Sequence, residues 1–196
     1  MTRIRAFHPG DEGALADVCL RTADAGADAT GVLTDDRIWA EIFVLPYVAR
    51  EPRLAFAVEM SGRVLGYVVA TSDTEAFEDW FRDEWWPVHG ARFPRPGGNP
   101  REIEILAYAD GRRSGREPYG RTYPAHLHID LLPELQGQGW GRRLIQTIVD
   151  ELRERDVSGL HLVAGSDNLG ALPFYDRLGF TRLPSPDGVQ AFGLTL

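Results

Sequence analysis

Apolar and polar positions alternate in some segments of the chain and recur every three to four residues in others. Alternation predicts strands, and the longer spacing predicts helices. Strands are expected at residues 3–7, 54–59, 64–71, 101–108, 126–132, 160–164, 180–183 and 189–194. Helices are expected from residue 11, from 34 or 35 to 45, over 139–155 and over 168–178. Strands that alternate with helices imply an α/β layer fold, and the 196 residues suit one domain over 1–196.

Residues with special backbone preferences mark the ends of several predicted elements. Asp11 is a candidate helix cap, and the second helix is expected to stop before Pro46. Residues 60–63 read as a hairpin turn between two strands. Pro173 is tolerated if it lies in the first turn of its helix, and Gly179 is expected to close that helix.

The stretch from residue 72 to 121 has the weakest pattern. It contains five aromatic residues and two polar loops, at 94–100 and 110–120. Two interpretations remain open: a flap over a substrate groove, or a short helix whose aromatic side chains fill the core. The five aromatic residues are Phe77, Trp80, Phe81, Trp85 and Trp86.

Charge and composition exclude several classes of function. The net charge of −8 argues against nucleic acid as a partner and suits a cationic amine. No apolar run reaches the ~20 residues of a membrane helix, and no signal-peptide layout is present, so we expect a cytoplasmic protein without a membrane partner. All 21 basic residues are arginine, which excludes a Schiff-base lysine and a Walker lysine. Cys19, the single cysteine, is expected in the core, and no metal site is expected.

A glycine-rich segment between a strand and a helix carries the most specific signal. It reads Gln136-Gly137-Gln138-Gly139-Trp140-Gly141 and is followed by Arg142 and Arg143. Glycines let the backbone turn tightly, and the first amides of a helix bind anions such as a pyrophosphate. The glycines could instead serve only close strand–helix packing. The spacing fits neither a Rossmann fingerprint nor a Walker loop.

Two segments together resemble one family. Residues 131–141 are similar to the acetyl-CoA-binding motif of GNAT acetyltransferases, and residues 168–180 are similar to its second cofactor motif. Residues 123–133 further resemble the acetyltransferase-like C-terminal domain of O-GlcNAcases and its free-standing bacterial relatives. The resemblance implies the GNAT fold, a mixed central β-sheet flanked by helices, with acetyl-CoA in the cleft between the strands that end near Leu132 and Ala164.

The resemblance also implies roles for individual residues. The backbone of Leu131 and Leu132 would pair with the pantetheine arm, and the loop amides from Gly137 to Arg142 would hold the pyrophosphate. Asn168 and Phe174 would border the pantetheine, and Tyr175 would lie near the thioester sulfur. The full cofactor-binding set is Leu131, Leu132, Gln136, Gly137, Gln138, Gly139, Trp140, Gly141, Arg142, Asn168, Phe174 and Tyr175.

Acetyl transfer to an amine needs a proton donor for the leaving thiolate and a proton acceptor for the amine. Tyr175 is the expected acid. Asp130, His128 and His126 are candidate bases, because strand alternation places all three on one face. Asp130 ranks first, and each of the three could instead be a buried hydrogen-bonding residue. Glu102 and Glu104, from a neighbouring predicted strand, are lower-ranked candidates for the base.

Three functions follow from these residues. The first is acetyl transfer to a primary amine, on either a small molecule or a peptide. The second is an inactive relative that serves as an interaction module, and the third is transfer of another acyl group. A homodimer is compatible with the resemblance, although no segment identifies an interface.

Overall fold

The computed structural model describes residues 1–95, 99–116 and 118–196. The strands are β1 Thr2–Ala6, β2 Ala55–Met60, β3 Arg63–Thr71, β4 Ala125–Leu131, β5 Gly159–Gly165, β6 Thr181–Leu183 and β7 Val189–Thr195. The helices are α1 Glu12–Leu20, α2 Arg37–Phe43, α3 Leu45–Arg50, α4 Thr74–Trp80, α5 Trp86–His89, α6 Pro100–Asp110, α7 Trp140–Arg153 and α8 Ala171–Arg177.

The seven strands form one mixed sheet in the order β1-β2-β3-β4-β5-β7-β6. Only β4 and β5 run parallel; the other neighbours are antiparallel. Helices flank this sheet, so the expected fold class, a mixed central sheet with helices, is confirmed. No helix among the described residues has the length and apolar character needed to span a bilayer.

The hairpin of β2 and β3 and the second half of the chain follow the expected pattern. Ser61 and Gly62 both adopt positive φ in the hairpin turn. Helix α7 buries one apolar stripe on the sheet, and Pro173 lies in the first turn of α8. Gly179 has a φ of +86° directly after α8, as its closing role requires. The stripe of α7 consists of Leu144, Ile145, Ile148, Val149 and Leu152.

The strand expected at residues 101–108 is wrong, because this segment belongs to helix α6. The side chain of Asn99 caps the helix by accepting from the amide of Glu102 at 3.3 Å, and Pro100 occupies its first turn. Ile105, Leu106 and Ala109 form the buried side at helical spacing. The alternation of glutamate and isoleucine over four residues was too short to distinguish a strand from a helix.

Two expected helix ends are in place but differ in detail. Helix α2 ends before Pro46, as expected, but after a break at Val44 a further helix, α3, carries Pro46 in its first turn. There the missing amide hydrogen of proline costs nothing. Asp11 precedes α1, but its side chain makes no capping hydrogen bond and is bound by Arg5 at 2.6 and 2.9 Å.

The aromatic stretch fills the core and does not form a flap. Residues 74–89 are helical throughout, and Phe77, Phe81 and Trp86 are buried. Of the two expected polar loops, residues 96–98 and 117 lie outside the described residues. Cys19 is buried in the core, as expected.

Candidate functional site

Strands β4 and β5 separate after a short contact and leave a cleft in the sheet. They pair only at Ala125 with Leu160 and at His126 with His161. Beyond these positions, β4 continues for five residues to Leu131 and β5 for four to Gly165. The backbone edge of β4 that faces β5 is therefore open along this part of the strand.

The glycine-rich segment lies at the end of this cleft and presents unpaired amides. Gly137 and Gly139 have positive φ values of +70° and +82°, and a Cβ atom on either would meet open space. Within the described ranges, the backbone amides of residues 137–142 donate no hydrogen bond to the protein. They lie at the N-terminus of the 14-residue helix α7, where the helix dipole is positive.

Gly141 serves a different purpose from the two glycines before it. A Cβ atom there would lie 3.0 Å from Cζ of Phe174 and 3.4 Å from Cδ1 of Leu131. Close packing of α7 on its neighbours therefore requires glycine at this position. The two explanations for the glycines thus apply to different residues: backbone conformation at 137 and 139, and packing at 141.

The remaining side chains of the loop are held by local contacts or lie in solvent. Gln136 donates to the carbonyl of Leu131 at 2.9 Å, and Gln138 donates to the carbonyl of Glu134 at 2.6 Å. The guanidinium of Arg143 lies over the ring of Trp140 at 4.6 Å. Arg142 is exposed, so its charge is available at the mouth of the loop.

The backbone amide and carbonyl of Leu132 are both engaged within the protein, and its role in pairing with the pantetheine arm stays a prediction. Its amide donates to the carbonyl of Leu65 at 2.9 Å, and its carbonyl accepts from the amide of Leu135 at 2.9 Å. In an antiparallel ladder, successive residues point their backbone groups to opposite sides. The groups of Leu131 and Ile129 therefore face the cleft and form its edge, on which the carbonyl of Leu131 already accepts from the side chain of Gln136.

Three adjoining cavities follow the cleft. The loop cavity, of about 610 Å³, is lined by the glycine-rich segment together with Asp130, Asn168, Phe174 and Tyr175. The histidine cavity, of about 780 Å³, is lined by both histidines of β4. The junction cavity, of about 310 Å³, shares Asp130 and Tyr175 with the first and His128 with the second. The three cavities thus adjoin one another at these side chains, and the row of them is called the path below.

Tyr175 is buried beside this path. Its ring packs against Phe174, Phe180 and Phe192. Burial and the nearby Asp130 carboxylate raise the pKa of Tyr175 above its ordinary value. Tyr175 therefore keeps its proton at neutral pH and can donate it. Asn168 caps the start of α8 through its side-chain oxygen, 3.2 Å from the amide of Ala171.

Asp130 occupies the side of the path nearest the loop. Its carboxylate accepts a short hydrogen bond from the hydroxyl of Tyr67 and interacts with the hydroxyl of Thr22. Burial raises the pKa of Asp130, while the two hydroxyls oppose that shift. Asp130 makes no hydrogen bond to His128, so the three candidate bases do not form one relay.

His126 and His128 share a partner that lies far away in the sequence. The hydroxyl of Tyr47 is 2.6 Å from Nε2 of His126 and 3.1 Å from Nε2 of His128. Burial and the charge of Arg112 lower the pKa of His128 to about 3. Burial also lowers the pKa of His126 well below its ordinary value, so both rings are neutral at pH 7.

Glu102 and Glu104 belong to helix α6 and do not lie on a strand next to β4. Glu102 is buried and accepts from the amide of Thr34 at 2.5 Å and from its hydroxyl, whose oxygen is 2.6 and 2.8 Å from the two carboxylate oxygens, which ties α6 to the segment before α2. Glu104 is exposed at the wall of the histidine cavity. Neither contacts the histidines.

Sequence reasoning missed a buried ion pair behind the histidines. Arg112 and Glu78 are 3% and 5% exposed, and their closest atoms are 2.6 Å apart. Arg112 also donates to the carbonyl of Ile42 at 3.2 Å and to the hydroxyl of Tyr47 at 3.4 Å. No local pattern marks these residues, because the contacts join positions 34 to 70 residues apart.

Comparison with known proteins places the chain in a family. The profile of the Acetyltransferase (GNAT) family matches residues 25–180. The crystal structure of SsHAT is 40% identical, covers 99% of this chain and 98% of its own, and superposes with a TM-score of 0.90. The structure of PaiA N-acetyltransferase from Thermoplasma acidophilum, in complex with coenzyme A, shares the fold at 11% identity, with a TM-score of 0.62 over 100% and 99% of the two chains.

A shorter match extends to a curated enzyme. The [ribosomal protein bS18]-alanine N-acetyltransferase of Escherichia coli (strain K12) is 42% identical over 56 residues, which are 29% of this chain. The match spans 38% of the length of that relative. The family profile covers well over half of the residues, including the glycine-rich segment and Tyr175. The chain therefore belongs to the GNAT family of acetyltransferases.

Proposed function

We propose that this protein transfers an acetyl group from acetyl-CoA directly to a primary amine. The observation that carries the proposal is the row of adjoining cavities that leads from a loop of unpaired amides, past a protonated tyrosine, to a second large cavity. One end of this path suits the donor and the other end suits the acceptor.

The loop cavity fits the phosphates and the pantetheine arm of acetyl-CoA. Six consecutive amides without a partner, the positive end of α7 and the exposed Arg142 all favour a pyrophosphate. The open edge formed by Ile129 and Leu131 offers backbone groups to an extended amide chain, as an added strand would. Acetyl-CoA is a substrate here, and this surface supplies both anion binding and strand-like pairing.

Tyr175 is the proton donor in the proposed reaction. The amine nitrogen forms a bond to the acetyl carbonyl carbon, and the bond from that carbon to sulfur breaks. Tyr175 gives its proton to the departing thiolate, and the nitrogen loses one proton as the amide forms, so the tyrosine is restored through solvent. No covalent enzyme intermediate is needed.

The acceptor enters through the histidine cavity in this proposal. Its walls combine aromatic and apolar residues with charges of both signs, the carboxylates of Glu104 and Asp167 and the guanidinium groups of Arg101 and Arg116, of which Arg101 pairs with Glu104 at 3.4 Å. Such a surface suits an amine attached to a partly apolar body, either a small molecule or a peptide. The alanine N-acetyltransferase among the relatives supports including peptide N-termini among the acceptors.

The test is release of free coenzyme A from acetyl-CoA with a panel of small amines, amino sugars and peptides. Tyr175→Phe should lower kcat by about 100-fold or more, while acetyl-CoA affinity changes little. Equal losses of both would assign Tyr175 to binding. Tight acetyl-CoA binding without turnover of any amine would favour the interaction-module function. Preference for a longer acyl-CoA would favour transfer of another acyl group. The closer relationship to O-GlcNAcase domains stays a prediction.

A further inference from the structure

We propose that His128 is the proton acceptor for the amine and that Thr74, His126 and Tyr47 are positioning residues that leave its Nδ1 atom free to act. This inference rests on the proposed function and names the base of that reaction. It follows from counting the hydrogens available in one chain of hydrogen bonds.

The count begins at Thr74, at the first residue of α4. Its hydroxyl is 2.7 Å from the carbonyl oxygen of Pro124 and 2.8 Å from Nδ1 of His126. A carbonyl oxygen can only accept, so the single hydroxyl hydrogen of Thr74 goes to Pro124. The hydroxyl oxygen must then accept from His126. His126 therefore carries its hydrogen on Nδ1, and its Nε2 atom is an acceptor.

The hydroxyl of Tyr47 determines which nitrogen of the second histidine, His128, carries the hydrogen. This hydroxyl donates its only hydrogen to Nε2 of His126, 2.6 Å away. The contact to Nε2 of His128, at 3.1 Å, therefore needs a hydrogen from His128. Arg112 also donates to the same oxygen, at 3.4 Å, which reinforces its role as an acceptor. His128 thus carries its hydrogen on Nε2.

The Nδ1 atom of His128 is left with a free lone pair in the path. In the described part of the chain, Nδ1 makes no hydrogen bond, and the only fully buried side-chain nitrogen or oxygen without a partner is Nε1 of Trp39. Nδ1 is therefore reached from the cavities that His128 lines, the junction and histidine cavities. Tyr175 lines the junction cavity too, so donor and acceptor of protons border the same space.

His128 is suited to remove a proton from the amine nitrogen after that nitrogen has bonded to the acetyl carbon. It is neutral at physiological pH, because its pKa is about 3. The amine enters as the uncharged form, having left one proton in bulk water, and attacks the acetyl carbon. The nitrogen becomes strongly acidic as its bond to carbon forms, and Nδ1 then accepts its proton and releases it to solvent. Asp130 is less suited, because the hydroxyl of Tyr67 already donates to its carboxylate.

Nitrogen-15 NMR of the histidine rings tests the tautomers without any need for activity. We expect His126 with its hydrogen on Nδ1 and His128 with its hydrogen on Nε2. Thr74→Val removes the acceptor for His126 at nearly equal volume, so both rings should reverse; Thr74→Ser should restore the original pattern. Hydrogen on Nδ1 of His128 in the unaltered protein would overturn the inference.

Kinetics with acetyl-CoA and the best amine complete the test. His128→Gln should lower kcat by about 100-fold or more and leave acetyl-CoA affinity unchanged. Thr74→Val should lower kcat less, in parallel with the tautomer change, and Thr74→Ser should recover it. The control is His8→Gln, an exposed histidine outside the three cavities, which should match the unaltered protein. Normal kcat in His128→Gln would overturn the inference and leave the proposed function standing; absence of turnover in the unaltered protein would overturn the function itself.

Discussion

Removing one partner of the buried pair of Arg112 and Glu78 should be one of the most destabilising single substitutions in this protein. Glu78→Gln keeps the shape of the side chain and removes its charge. The guanidinium would then lie buried among the carbonyl of Ile42, the hydroxyl of Tyr47 and the rings of Phe77, Phe81 and Tyr108, with that of Phe81 4.0 Å away. It would lack a counter-charge.

The expected loss follows from the energetics of buried ion pairs. Removing one partner typically costs 3–5 kcal/mol, because the other charge stays buried and uncompensated. A glutamine oxygen can still accept one bond, so we expect the lower end, about 3 kcal/mol. With an m-value of about 2.5 kcal/mol/M, the urea midpoint should fall by about 1.2 M.

Equilibrium unfolding in urea, followed by circular dichroism, measures this loss. Asp150→Asn is the matched control, since Asp150 and Arg153 are 60% and 53% exposed and 3.9 Å apart. It should cost less than about 0.5 kcal/mol. Replacing both partners by apolar residues, Glu78→Leu with Arg112→Met, should be less harmful than Glu78→Gln alone. A loss in Glu78→Gln no larger than in the control would refute the reasoning.

Two further predictions concern the loop and the histidines. Gly139→Val should abolish acetyl-CoA binding in a folded protein, because the φ of +82° there is unfavourable for valine. The control is Gly31→Val, at a φ of +75° in a distant loop, which should strain the backbone similarly and leave binding unchanged. Calorimetry measures acetyl-CoA affinity in both variants, and equal affinities would contradict the role of the glycine-rich loop. Stability should fall as the pH drops below about 6.5, because the unfolded chain protonates histidines whose folded pKa values are lowered, to about 3 for His128. Urea unfolding between pH 6.5 and 5 should show a mean slope smaller by about 1.1 kcal/mol per pH unit in His128→Gln, and equal slopes would count against neutral burial of this ring.

The sequence predicted the second half of the fold better than the first, for a physical reason. Around α7, local signals agree: glycines of positive φ, an apolar stripe at helical spacing and the strands on either side. At residues 101–108 they conflict, because glutamates alternate with isoleucines while Asn99 and Pro100 start a helix. Tertiary contacts settle that conflict, since the buried Glu102 binds Thr34.

The candidate site also has a part that the sequence predicts and a part that depends on tertiary contacts. The loop, Tyr175 and the shared face of His126, His128 and Asp130 could be predicted from spacing and family resemblance. The partners that determine the state of the histidines could not, because Tyr47 and Thr74 reach His126 across 79 and 52 residues of sequence. The internal hydrogen bonds of Leu132 could not be predicted either, because they depend on the register of β4 with β3.

Calorimetric titration of the purified protein with acetyl-CoA tests the central claim most directly. The loop of free amides and the open edge of β4 predict saturable binding of one acetyl-CoA per chain, in the micromolar range or tighter. No detectable binding at millimolar acetyl-CoA would contradict the account, because neither the donor cavity nor the proposed transfer could then stand.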